Sequence, residues 1–127
     1  MVRAVATDTL REAGYVVVEA ASAEEALAKV ESATNGEPSV IVTDLHLGAG
    51  MDGLAFGAEA LRRWPEARVI YATGYPNEFD GHLLGLREHY LVKPFSPTML
   101  LQTVHRLMPT RGLAWLLRSG LDLASMR

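Results

Sequence analysis

Val40-Ile41-Val42-Thr43-Asp44 is a run of uncharged, mostly β-branched residues that ends directly in a carboxylate. A short continuous apolar run of this kind marks a strand buried on both faces, as in a parallel sheet covered by helices. Toward the N-terminus, Ser22 precedes Glu25 by three residues, a capping-box spacing that predicts a helix over 23–33. Before it, Tyr15-Val16-Val17-Val18-Glu19-Ala20 reads as a strand, and Val2, Val5, Ala6, Leu10 and Ala13 keep a helical spacing that stops at Gly14. Toward the C-terminus, Gly48, Gly50 and Gly53 make a glycine-rich loop, and a helix over 54–64 ends before Pro65. A strand over 68–72, a turn at Gly74-Tyr75-Pro76 and a weakly periodic helix over 77–87 follow. Tyr90-Leu91-Val92 is a short strand, and Ser96-Pro97 opens a helix that runs to about Met108.

This alternation predicts an α/β fold with a doubly wound parallel sheet. Such sheets bind ligands beyond the carboxyl ends of their strands. Asp44, Thr73 and Lys93 stand at three such ends. A carboxylate, a hydroxyl and an ammonium suit a transferred phosphoryl group: the first accepts it, and the other two neutralise its oxygens. Taken singly, Asp44 reads as a loop cap, Thr73 as a turn residue and Lys93 as a solvated charge. Their order after successive strands favours the joint reading.

The 127 residues suit one domain, and a 49% apolar composition gives it enough material for a core. A net charge of −3, with no dense Lys/Arg cluster, argues against nucleic acid as a partner. The absence of cysteine removes disulfides and thiolate metal sites. No apolar run approaches the roughly 20 residues that span a bilayer, and Asp8, Arg11 and Glu12 interrupt any signal peptide. A cytoplasmic protein with no membrane partner is expected. His82 and His89 flank a turn and read as surface residues rather than metal ligands. No glycine-rich phosphate loop follows the first strand, against a nucleotide or flavin binder.

Four stretches occur in an order and spacing that resemble the receiver domain of two-component response regulators. They are 40–47, Met51-Asp52-Gly53, Tyr71-Ala72-Thr73-Gly74-Tyr75-Pro76 and Tyr90-Leu91-Val92-Lys93-Pro94-Phe95. Residues 11–15 and 23–27 resemble the same family, so the likeness covers a receiver-like domain over 1–108. It implies a flavodoxin-like fold and a non-enzymatic signalling module. It implies that Asp44 is the phosphoacceptor, supplied by a histidine kinase or phosphotransfer protein. Thr73 and Lys93 would bind the phosphoryl group, Tyr90 would be an aromatic switch, and the Lys93–Pro94 bond would be cis. Asp44 and the His46 backbone carbonyl would face Mg²⁺, and the 77–108 face would serve output or homodimerisation.

The chain departs from the family at its start. The family's first strand, which is central in the sheet and ends in an acidic pair, has no counterpart, because only Met1 and Val2 precede Arg3. Asp8, Glu24 and Glu25 read as solvated helix charges, and Glu19 is a poor substitute. Asp44 and Lys93 alone leave a formally neutral site, so Mg²⁺ binding is expected to be weak or absent and phosphoryl transfer impaired. The alternative is a degenerate receiver that works as a phosphorylation-independent protein-interaction module. A sheet without that strand is N-terminally truncated and leaves a gap of about 10 Å between its neighbours. Either the natural start lies earlier, or Leu113-Ala114-Trp115-Leu116-Leu117 replaces the strand, from the same chain or by strand exchange in a homodimer. Leu113, Leu116, Leu117 and Leu121 fall on one side of a helix, so the extension over 109–127 is expected to be helical. That extension is too short for an output domain.

Overall fold

The computed structural model describes residues 2–32, 38–45, 52–74, 84–108 and 113–117. In chain order they form α1 (Val2–Glu12), β1 (Val16–Ala20), α2 (Ala23–Ser32), β2 (Val40–Asp44), α3 (Gly53–Arg63), β3 (Arg68–Thr73), β4 (Glu88–Val92), α4 (Pro97–Leu107) and β5 (Leu113–Leu117). Local chemistry sets the helix ends. Gly14 has φ 101° and stops α1, with its N–H on the Arg11 carbonyl and the Tyr15 N–H on that of Leu10, the paired bonds of a Schellman cap. At α2, Ser22 Oγ accepts from Glu25 N at 3.0 Å. The Glu25 carboxylate reaches back to the Ala21 N–H, one residue before the position a strict capping box uses. Asp52 caps α3 by accepting from Ala55 N, and Ser96 caps α4 by accepting from Met99 N, with Pro97 in the first turn.

The sheet is parallel throughout, with five strands in the order β1-β5-β2-β3-β4. Successive side chains of a strand point to opposite faces, and the chain uses both. Val40, Val42, Ile70 and Ala72 pack with Leu10 of α1 and Leu100 and Val104 of α4. Ile41, Val69 and Tyr71 pack on the other face with Ala23 and Ala26 of α2 and with Phe56 and Ala60 of α3. This is the doubly wound, flavodoxin-like arrangement that the uncharged run at 40–43 implies.

Two expectations need correction. Leu113–Leu117 is not helical but a strand, inserted between β1 and β2. Val16 pairs with Leu113 and Ala20 with Leu117 on one side, while Val40 pairs with Ala114 and Thr43 with Leu117 on the other. The sheet therefore has no central gap and is not truncated among the described residues. The physical reason is that one uncharged five-residue strand satisfies the backbone groups of two inner edges at once. A leucine spacing over so short a run does not distinguish a helix from a buried strand. Residues 118–127, which include Leu121, lie outside the described residues. The second correction concerns the helix over 77–87: residues 84–87 form a turn into β4, and 75–83 lie outside the described residues.

The turn is braced from both sides. Arg87 donates from Nη1 to the carbonyls of Trp64 and Ala67 and from Nη2 to that of Leu61, satisfying groups at the end of α3. Burial, then the hydrogen bond to Glu88, pushes the Tyr71 phenol far above its ordinary pKa. It stays protonated and donates to Glu88 Oε2 at 2.7 Å, while Gly85 N donates to Glu88 Oε1 at 2.9 Å. The ring lies so close to α3 that a Cβ on Gly57 would stand 2.1 Å from the Tyr71 hydroxyl. Gly57→Ala is therefore expected to destabilise the fold by about 2 kcal/mol despite alanine's better helix propensity, as read from a urea midpoint at constant m-value.

His89 on β4 lies only partly at the surface, and its Nε2 is buried with no hydrogen-bond partner among the described residues. Burial first, then the charges of Arg106 and Arg68, hold the imidazole below its ordinary pKa. The unfolded chain thus binds a proton that the fold resists. The contribution of His89 is complete above the unfolded value of about 6.5 and is lost as pH falls toward the folded value. His89→Gln should flatten the stability–pH slope in that acidic window, and an unchanged slope would contradict this placement.

Candidate functional site

Three of the predicted site residues, Asp44, Thr73 and Lys93, fall at the ends of strands. Asp44 is the last residue of β2 and 1% exposed, and Thr73 is the last of β3 and 2% exposed. Lys93 follows β4 directly. Its ammonium lies 2.8 Å from Asp44 Oδ1, with 12% of the lysine side chain exposed. Its backbone N–H donates to the Thr73 carbonyl at 2.7 Å, which carries the β3–β4 pairing one step past β4. Asp44 pairs in register with Ala72, and Thr73 with Val92. The sheet therefore brings the carboxylate, the hydroxyl residue and the ammonium to one rim. A buried carboxylate needs such a partner, because an isolated charge out of water costs several kcal/mol.

The Asp44 peptide is held as firmly as its side chain. Thr43 Oγ1 donates to the Asp44 carbonyl at 2.9 Å. Leu45 N donates to Ala72 O at 3.1 Å, and Gly53 N to Leu45 O at 2.9 Å, drawing the start of α3 down onto the rim. A Cβ on Gly53 would lie 1.8 Å from the Asp44 carbonyl oxygen. Gly53 is thus a positioning residue for Asp44. Sequence reading placed it among the loop glycines and in the stretch Met51-Asp52-Gly53 without giving it a role; its place after the helix-capping Asp52 is the available signal.

The Lys93–Pro94 bond is cis. Tyr90 stands on β4 opposite Tyr71, 46% exposed and three positions before Lys93. His46 and His82 lie outside the described residues. Glu19, the nearest acidic candidate in sequence, is on β1 and pairs with Leu116, so β5 separates it from β2.

Among the described residues this rim presents few oxygen ligands for a Mg²⁺ ion. Mg²⁺ requires near-octahedral oxygen ligation and gives up its waters reluctantly. One Asp44 oxygen already faces an ammonium at 2.8 Å. Leu117, a residue with no side-chain oxygen, pairs with Thr43 beside Asp44. Among the described residues there is no group of three or more His, Cys, Asp or Glu able to hold a metal.

A doubly wound parallel sheet with a carboxylate–ammonium pair and a hydroxyl residue at its carboxyl rim defines a flavodoxin-like α/β class. Residues 1–105 match the response regulator receiver domain, and the chain belongs to that family. It is 33% identical over 101 residues to the sensor kinase CckA of Brucella abortus (strain 2308), covering 78% of this chain and 10% of that protein. It is 32% identical over 108 residues to the C4-dicarboxylate transport transcriptional regulatory protein DctD of Rhizobium meliloti (strain 1021), covering 83% of this chain and 22% of that one. The chain thus spans a small part of the curated relatives it matches. Among solved structures, the receiver domain of NtrX from Brucella abortus superposes with a TM-score of 0.69 at 26% identity, covering 85% of this chain and 90% of that one. The chemotaxis protein CheY4 of Vibrio cholerae does so with a TM-score of 0.66 at 31% identity, covering 84% and 88%. Receiver domains are regulatory modules that interact with histidine kinases or phosphotransfer proteins. Among the described residues no helix is long and apolar enough to cross a membrane.

Proposed function

We propose that Asp44 is the phosphoacceptor of a two-component phosphorelay and that it accepts phosphate slowly. The observation that carries this is the 2.8 Å contact between Lys93 Nζ and the buried Asp44 carboxylate. An ammonium so placed neutralises the oxygens of a phosphoryl group bonded to Asp44, and Thr73 stands one strand away to donate from its hydroxyl. The donor would be a histidine kinase or phosphotransfer protein. Transfer is slow because one carboxylate and one ammonium give a formally neutral rim, which holds a divalent cation poorly. Tyr90 would report occupancy by turning inward, and the face around β4 and α4 would carry the output or a homodimer contact. Exposed Tyr90, Val92 and Met99 support that use of the face.

The second reading, a phosphorylation-independent interaction module, is favoured by one observation: the strand beside β2 ends in Leu117 rather than in an acidic residue. Labelling with acetyl phosphate separates the two. The phosphoacceptor reading expects a slow, acid-stable but base-labile label that vanishes in Asp44→Asn and is accelerated less than about twofold by Mg²⁺. No label on Asp44 after prolonged incubation would favour the interaction module. A rate that climbs steeply with Mg²⁺ would contradict the slow, metal-poor site.

A further inference from the structure

β1 stands at one end of the sheet, with β5 as its neighbour on one side. Along a strand, the backbone groups of alternate residues point to opposite sides, so one row of β1 carbonyls faces β5 and the other faces away from the sheet. Val17 and Glu19 are two positions apart and share a row. Side chains take both of their carbonyls: Arg11 Nη2 donates to Val17 O at 3.0 Å, and Lys29 Nζ donates to Glu19 O. The row toward β5 is engaged in the ladder, so the row these side chains reach is the outer one. Arg11 comes from α1 and Lys29 from α2, helices that pack on opposite faces of the sheet. The two cations thus reach round the edge from both faces. We propose that Arg11 and Lys29 close the β1 edge to strand addition, and that without them this edge pairs with β1 of a second copy of the chain.

The guarded segment is suited to pairing. Val16-Val17-Val18 is β-branched, and Val16 is 50% exposed. An unguarded edge of this kind is a template for another strand. The partner it fits is a second β1, because antiparallel pairing about a two-fold axis at Val18 sets Val17 opposite Glu19 and satisfies both outer rows at once. With the guards in place that pairing fails for two reasons. An incoming amide needs a carbonyl that a charged donor already holds, and charge-assisted hydrogen bonds are the stronger kind. The same axis also brings Arg11 and Lys29 toward their own copies, so like charges meet as they lose water. Asp44 has no part in this, and the closure holds whether or not the rim accepts phosphate.

Arg11→Ala/Lys29→Ala in the full chain tests this by sedimentation velocity, with amide hydrogen exchange at Val17 and Glu19 to locate the contact. In the parent, exchange at these two amides should not depend on protein concentration. In the double variant a dimer should form, and exchange there should slow at least about tenfold over about a fiftyfold rise in concentration. Circular dichroism establishes that the variant is folded. If it is not, Lys29→Ala alone, at an exposed position, should slow exchange at Glu19 by at least about threefold over the same range. A parent whose β1 amides already gain protection with concentration would mean that the edge is open, and would overturn the proposal. So would folded variants that stay monomeric throughout, or that associate with no change at Val17 and Glu19.

Discussion

A chain ending at Met108 is expected to show no cooperative unfolding transition, although it keeps nearly all of the receiver motifs. β5 pairs with β1 along Val16–Ala20 and with β2 from Val40 to Thr43, and no other described strand bridges the two. Removing it opens two inner edges, each with a row of backbone donors and acceptors that had partners. Domains of this size are stable by only about 5–15 kcal/mol. Losing a central strand exceeds that margin, because each buried, unpaired backbone group costs about as much as a lost hydrogen bond. Thermal and urea melts followed by circular dichroism should be broad and non-coincident for the shortened chain, and sharp for the full one. A shortened chain that melts like the full one would mean that β5 is not part of the stable sheet.

Lys93→Met is expected to cost about 3–5 kcal/mol, the largest effect of any single substitution at the rim. The reason is asymmetry in burial. Asp44 is 1% exposed and Lys93 12%, so deleting the ammonium removes the charge that offsets a carboxylate water barely reaches. Asp44→Asn leaves behind a lysine tip with a route to solvent and should cost clearly less. The double variant should recover most of the loss, since no buried charge remains, and a double-mutant cycle would show strong coupling. Additive losses in denaturant titrations would mean that the two groups do not hold each other in the fold.

Much of this was readable from residue types. The uncharged run Val40-Ile41-Val42 declared a strand buried on both faces, and Ile41 indeed packs on one helical layer while Val40 and Val42 pack on the other. Asp44, Thr73 and Lys93 were recoverable because parallel sheets bring successive strand ends to one rim. Two things were less legible. Gly53 matters because a Cβ at that position would collide with the Asp44 carbonyl oxygen, and local sequence does not encode the distance to a neighbouring strand. Leu113–Leu117 was misread because a leucine spacing over five residues fits either a helix or a buried strand. What decides between them is non-local: the edges of β1 and β2, which lie some seventy or more residues away in sequence and pair with this segment on its two sides.

Amide hydrogen exchange at 113–117 tests the central claim, that this segment is an inner strand of the chain's own sheet. The predicted result is protection equal to that of β1 and β2, lost only with global unfolding and independent of protein concentration. Exchange at the rate of an unstructured chain, or protection that fades on dilution, would contradict it.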